Sequence, residues 1–153
     1  MAVRAERPYV QFNFMVDLDD PEMDPGSFTG GFQEVSGLGM EVTVSEYRNG
    51  SDRDNGVRKI IGLNKASDVT LKRGVIGALP LYRWLDDIRN GNQEAFRDVT
   101  IVLQSEDHTP VLEWRLLRAR IIKYTAGPLN AKGNDVTMEE VVISHERLEM
   151  RER

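Results

Sequence analysis

The sequence predicts a mainly β domain of antiparallel strands with one flanking α-helix. Apolar and polar residues alternate with a period of two through much of the chain, as strands with one buried face require. Only residues 79–89 place apolar side chains at helical spacing. Glycines, prolines and short polar residues gather between the alternating runs, where turns need them.

In residues 9–18, Val10, Phe12, Phe14, Val16 and Leu18 alternate with Gln11, Asn13, Met15 and Asp17, so one face enters a core. Prolines, a glycine and acids make residues 19–27 a loop whose acids face solvent. Residues 28–35 and 40–48 are the next strands. The second sets Met40, Val42 and Val44 opposite Glu41, Thr43, Ser45 and Tyr47. Between them, the glycines of Ser36-Gly37-Leu38-Gly39 suit a tight connection or bulge. They do not sit between a strand and a helix, so a phosphate cradle is not indicated. A polar loop, residues 48–56, then leads into strands at 57–63 and 69–74, with Asn64-Lys65-Ala66-Ser67 as a turn between them.

In the helix, Leu81, Trp84, Leu85 and Ile88 form one stripe, Pro80 suits the first turn and Gly91 follows the end as a stop. Trp84 is read as a core anchor. Strands follow at 98–105, 111–124 and 136–146, all rich in β-branched or aromatic residues. Within 111–124 the apolar set changes face, from Leu112, Trp114 and Leu116 to Leu117, Ala119 and Ile121. A bulge or strong bend near Leu116 would reconcile the two sets. The same shift is expected between Val136-Met138 and Val141-Ile143. Alternatively, both faces are partly buried, one in the subunit core and one against a neighbour.

With 153 residues the chain is read as a single domain, residues 1–153. That length buries roughly 68–70% of the surface of the unfolded chain. Without cysteine, disulfides, thiolate nucleophiles and cysteine metal sites are excluded. The first residues lack a secretory apolar region and no apolar run is long enough to span a bilayer, so a soluble cytoplasmic product is expected. A net charge of −5 disfavours wrapping nucleic acid, though it leaves room for a locally charged channel.

Chemistry-bearing constellations are poor. His108 falls in Ser105-Glu106-Asp107-His108-Thr109-Pro110, the composition of a solvated hairpin turn. His145, beside Glu146 at a strand end, is read as a packing or interface hydrogen-bonding residue. Asp86-Asp87 are helix neighbours, and Glu139-Glu140 point to opposite strand faces as ordinary polar residues, so neither pair makes a general acid and base. Arg115, Arg118, Arg120 and Lys123 lie along one strand without interleaved exposed aromatics, and pairing with nearby acids is favoured over nucleic-acid contact. No enzyme, cofactor or metal is expected.

Several ordered segments together carry a family resemblance: Phe12-Asn13-Phe14, Gly31 to Val42, Tyr47 to Gly74, Leu81-Tyr82-Arg83-Trp84-Leu85, Gly127-Pro128-Leu129-Asn130-Ala131-Lys132-Gly133-Asn134-Asp135-Val136, and Ile143 to Leu148. The chain resembles the tail tube proteins of contractile phage tails, tailocins and contractile injection systems over nearly its whole length. Residues 19–27 and 64–67 depart from that pattern. The resemblance implies a small β-barrel or sandwich whose hexameric rings stack into a hollow inner tube, with strands of all subunits joining around the channel. It implies as partners further copies of the chain, a contractile sheath, baseplate or spike and tube-terminator proteins, and a luminal cargo of protein effector or DNA. The loop it assigns to ring-to-ring contact falls here on Tyr47, Arg48, Asn49, Asp52, Arg53, Asp54 and Arg58. Glu41, Thr43 and Ser45 are the candidate lumen-facing residues, because they oppose the apolar face of their strand. A free hexameric carrier of the type VI secretion kind and a monomeric β-barrel binding module are the alternatives.

Overall fold

A computed structural model describes residues 9, 11, 13–19, 32–51, 53, 55–75 and 80–152. Among them the chain forms β1 (Phe14–Asp17), β2 (Phe32–Ser36), β3 (Met40–Tyr47), β4 (Arg58–Ala66), β5 (Val69–Gly74), α1 (Pro80–Arg89), β6 (Arg97–Gln104), β7 (Pro110–Ala126), β8 (Met138–Ser144) and β9 (Arg147–Glu152). Seven strands make one antiparallel sheet in the order β1-β6-β7-β8-β5-β2, with β9 also on β7, and β3 and β4 pair separately.

The sheet is built on two long bent ribbons. In the first, β2 pairs with β5 and, with the same Cα register, β3 pairs with β4 (Ser36 opposite Thr70, Met40 opposite Ala66). The ribbon is interrupted only at residues 37–39 and 67–68. Gly37 takes φ 86° there, and a side-chain carbon on it would lie 2.2 Å from the Asp68 carbonyl oxygen, so only glycine fits this kink. In the second ribbon β7 pairs with β8 (Arg120 opposite Ser144) and then β9 (Leu117 opposite Arg147), broken at His145-Glu146. His145 Nε2 lies 2.8 Å from the Ser67 carbonyl oxygen, tying one kink to the other.

The bulge expected near Leu116 is present. Between the pairs Arg97–Ala119 and Val99–Leu116, β7 holds one residue more than β6. Arg118 absorbs the mismatch at φ 52°, its N–H donating to Asp98 Oδ1 at 3.2 Å. Leu116, Ala119 and Ile121 thereby all point inward and are buried. The chain turns here from the leaf β1-β6-β7-β9 to the leaf β7-β8-β5-β2, and both leaves contribute to a single core of Val16, Val99, Ile101, Val69, Leu71, Val141 and their neighbours. The helix closes this core with Leu81 and Trp84, as its periodicity predicts, and Trp84 Nε1–H donates to the Ala95 carbonyl at 2.8 Å. Gly91, at φ 93°, ends the helix.

Four expectations are corrected. The predicted turn at residues 64–67 is strand up to Ala66, because backbone pairing with Met40, Glu41 and Val42 holds this polar stretch extended. The run 136–146 holds a shorter strand, β8, which starts at Met138 and ends at Ser144, and the charge-rich β9 that follows it at Arg147–Glu152 is not foreseen. Strand β8 shows no change of face: Glu139, Val141 and Ile143 are its buried side and Met138 joins the outer side. Glu139 is therefore no ordinary polar-face residue, since burial beside Arg73 turns it inward. Strand β1 is assigned from Phe14 only; Val10, Phe12 and residues 28–31 of the expected early strands lie outside the described residues.

Candidate assembly surface

Beyond the kink, β3 and β4 leave the sheet and project as a two-stranded ribbon. Alternation and register put Met40, Val42 and Val44 on one face with Ala66, Asn64 and Ile61, followed by Glu46 opposite Lys59. The other face carries Glu41, Thr43, Ser45 and Tyr47 with Lys65, Ile60 and Arg58. Neither face is buried within the chain: every residue of β3 is exposed, and Ile61 and Leu63 keep 75% and 79% of their surface in water. The proposed apolar face of β3 thus finds no core in its own subunit. An extra residue in β4, opposite Val42 to Val44, bends the ribbon, and Gly62 lets the backbones approach there.

The structure places Tyr47 and Arg58 as the last β3–β4 pair, with Arg48, Asn49 and Arg53 in the connecting loop and all five exposed. Asp52 and Asp54 lie outside the described residues. Glu41, Thr43 and Ser45 are brought together on one ribbon face, apart from the loop.

The leaf β7-β8-β5-β2 has two edges, β2 and residues 120–126 of β7, whose side away from β8 carries no strand among the described residues. Three successive antiparallel pairings make these edges run in opposite directions. The outer face is polar: Lys72 stands opposite Glu140 and reaches Glu34 at 3.9 Å.

Inside the same leaf lies a buried polar cluster that sequence reasoning missed. The Arg73 Nε–H donates to Glu139 Oε1, and the Tyr124 hydroxyl donates to Glu139 Oε2 at 2.5 Å. Arg73 also stacks on Phe32, 5.2 Å from the ring centre. The hydrogen bond to Glu139, with burial, pushes the Tyr124 phenol above its ordinary range. The cluster braces three strands rather than facing a cleft. The other charged groups behave as surface pairs. Arg115 faces Asp98 at 3.8 Å, Arg118 faces Glu146 at 3.3 Å, and Arg118 and Arg120 both cover the Phe96 ring. His108 sits in the expected hairpin turn, where hydrogen bonds from Ser105 and Thr109 hold the Asp107 carboxyl below its usual range.

Residues 10–149 match the family model of the T4-like virus tail tube protein gp19. The chain belongs to this tail tube family. The family is structural rather than enzymatic, so this tail tube protein is a tube subunit and not a catalyst. Solved relatives agree. A chain of the anti-feeding prophage baseplate, six-fold symmetrised, is 25% identical, with 95% of this chain and 96% of that one covered and a TM-score of 0.82. A chain of the sheath–tube complex of PVC, an extracellular contractile injection system, in its extended state, is 27% identical with 97% and 95% covered and a TM-score of 0.80. A chain of the PVC sheath/tube terminator is also 27% identical, with 97% and 99% covered and a TM-score of 0.80. No curated protein matches the chain. Among the described residues, no helix of the tail tube protein is long and apolar enough to cross a membrane.

Proposed function

We propose that this tail tube protein forms six-membered rings that stack into the inner tube of a contractile injection particle. A contracting sheath drives that tube through a target envelope while cargo passes along its lumen. The observation that carries this reading is the β3–β4 ribbon, whose apolar face of Met40, Val42, Val44 and Ile61 is left in water by its own chain. Each Å² of such surface costs about 25 cal/mol when exposed, and a contiguous patch marks an interaction surface. The opposed directions of the two leaf edges support ring closure: copies placed side by side continue the same antiparallel pairing, and such a contact between unlike edges closes when its rotation does. The six-fold symmetry of the similar baseplate supports the number six.

Sheath, baseplate or spike and terminator proteins are the proposed partners, by likeness to chains in those assemblies. Subunits assemble in the cytoplasm and leave as part of a phage tail-like particle. Glu41, Thr43 and Ser45 line the lumen, where polar groups let protein or DNA slide. The loop from Tyr47 to Arg58 is the ring-to-ring contact. One exposed ion pair there is worth at most about 1 kcal/mol, but repetition around each ring and along the tube multiplies it.

The groove of about 770 Å³ lined by Phe14, Val35, Leu38, Ile101, Leu103 and Trp114 is the feature a monomeric binding module would use. The two readings part on assembly. Negative-stain images of the purified protein should show rings or tubes, and deletion of residues 51–55 should leave the circular dichroism spectrum unchanged while reducing tube number. Light scattering that finds only monomer at high concentration, even with sheath and baseplate proteins, would overturn the tube reading. Full-length tubes from the deletion variant would leave the loop without a role.

A further inference from the structure

The segment 127–136, which joins β7 to β8, helps carry the family resemblance. It is a self-braced loop. Gly127 N–H donates to the Met138 carbonyl at 2.6 Å, Gly133 N–H to the Asn130 carbonyl at 3.0 Å and Lys132 N–H to Asn130 Oδ1 at 3.0 Å. A side-chain carbon at Gly127 would lie 2.8 Å from the Met138 carbonyl oxygen, so glycine permits the close exit from β7. This ordered loop presents Leu129 with 83% of its surface in water. Val136, at 75%, follows on the same loop, and Val75 lies beside it, with the Val75 N–H donating to the Thr137 carbonyl.

The register fixes where this apolar end lies. Strand β5 joins the ribbon at its Val69 end, while Gly74 at its other end pairs with Met138, where the loop begins and ends. The ribbon and the loop therefore stand at opposite ends of one leaf, about 17 Å apart along the strand.

Resting on the tube reading, we propose that Leu129, Val136 and Val75 form the seat on which the apolar face of the β3–β4 ribbon from a copy in the adjacent ring docks. Two unlike apolar surfaces at opposite ends of a subunit make a heterologous contact that propagates without limit, whereas a self-complementary patch would stop at pairs. Charge favours the same partner. Residues 40–66 hold five basic and four acidic side chains, net +1, against 15 basic and 21 acidic in the rest of the chain, net −6. The ribbon of one copy is thus not repelled by the net-negative remainder of another, whereas two ribbons carry the same sign.

The absence of cysteine makes the test direct. In tubes of an Ile61→Cys/Leu129→Cys variant, mild oxidation should yield cross-linked ladders on denaturing gels that run past six chains, with each single variant giving dimers at most. Leu129→Asp should still give rings, and a subunit folded by circular dichroism, but tubes at least tenfold shorter, while Leu129→Met should restore tube length. A ladder that stops at six chains would place the contact within a ring and overturn the proposal. Tubes of normal length from Leu129→Asp, or tubes of the double variant without ladders, would also overturn it. Wild-type protein forming no tubes at all would defeat the tube reading itself, and this seat with it.

Discussion

Replacing Glu139 with alanine should cost the folded subunit about 3–5 kcal/mol, because it strands the Arg73 charge inside the protein. The structure sets this magnitude. Arg73 and Glu139 are 2% and 4% exposed, so neither can turn to water in place of its partner. The same truncation removes the acceptor of the Tyr124 hydroxyl, and hydrogen bonds to charged groups are worth roughly 1.5–3 kcal/mol each. Against a total stability of about 5–15 kcal/mol, the loss is a large fraction. At about 2–4 °C per kcal/mol for a chain of this size, it lowers Tm by about 6–20 °C. The intact pair is not correspondingly stabilising, since desolvation offsets most of its attraction. An Arg73→Met/Glu139→Leu variant should therefore recover most of the stability lost by Glu139→Ala. Thermal and urea unfolding followed by circular dichroism, repeated at several protein concentrations because assembly adds its own stabilisation, measures both variants. A Glu139→Ala cost under about 1 kcal/mol, or a double variant as unstable as the single one, would refute the reasoning.

Other substitutions probe separate features. Gly37→Ala combines a positive φ with a 2.2 Å clash against the Asp68 carbonyl, so it should destabilise the kink by at least about 1–3 kcal/mol and impair tube formation, read by urea unfolding and electron microscopy. Trp84→Ala empties the fully buried centre of the helix contact and should cost about 3–5 kcal/mol in the same unfolding assay. Because the folded Tyr124 phenol is raised, its contribution is complete below about pH 10 and is lost as pH climbs through the folded value. Tyr124→Phe should thus lower stability at pH 8 but flatten its decline above pH 10, seen as a urea midpoint that falls less steeply with pH.

What was legible in the sequence was local. The helix stripe around Trp84 and the change of face in β7 follow from spacing along the chain, and the bulge at Arg118 follows from that change. Glu139 was misread because Val136 and Met138 look like the inward set, and the partner that makes its burial possible lies 66 residues away. The stretch Asn64 to Ala66 looked like a turn because its composition is polar, yet backbone pairing with Met40 to Val42, which ignores side-chain type, keeps it extended. Strand β9 was missed for a related reason: only Leu148 of Arg147–Glu152 is buried, so an edge strand on β7 shows almost no apolar alternation. At the assembly surface, alternation puts Glu41, Thr43 and Ser45 on one face of β3, but nothing local says that the opposite face is also uncovered.

The four strands of the β7-β8-β5-β2 leaf carry a constraint on how this architecture can diversify. An even number leaves the outer strands running oppositely, which lets each junction between neighbours be the well-aligned antiparallel kind. If copies join edge to edge as proposed, gaining or losing one strand would turn each junction parallel, the slightly less stable kind. On that reading, a tube of this design changes width at least cost by whole hairpins or by subunit number, since either keeps every junction antiparallel.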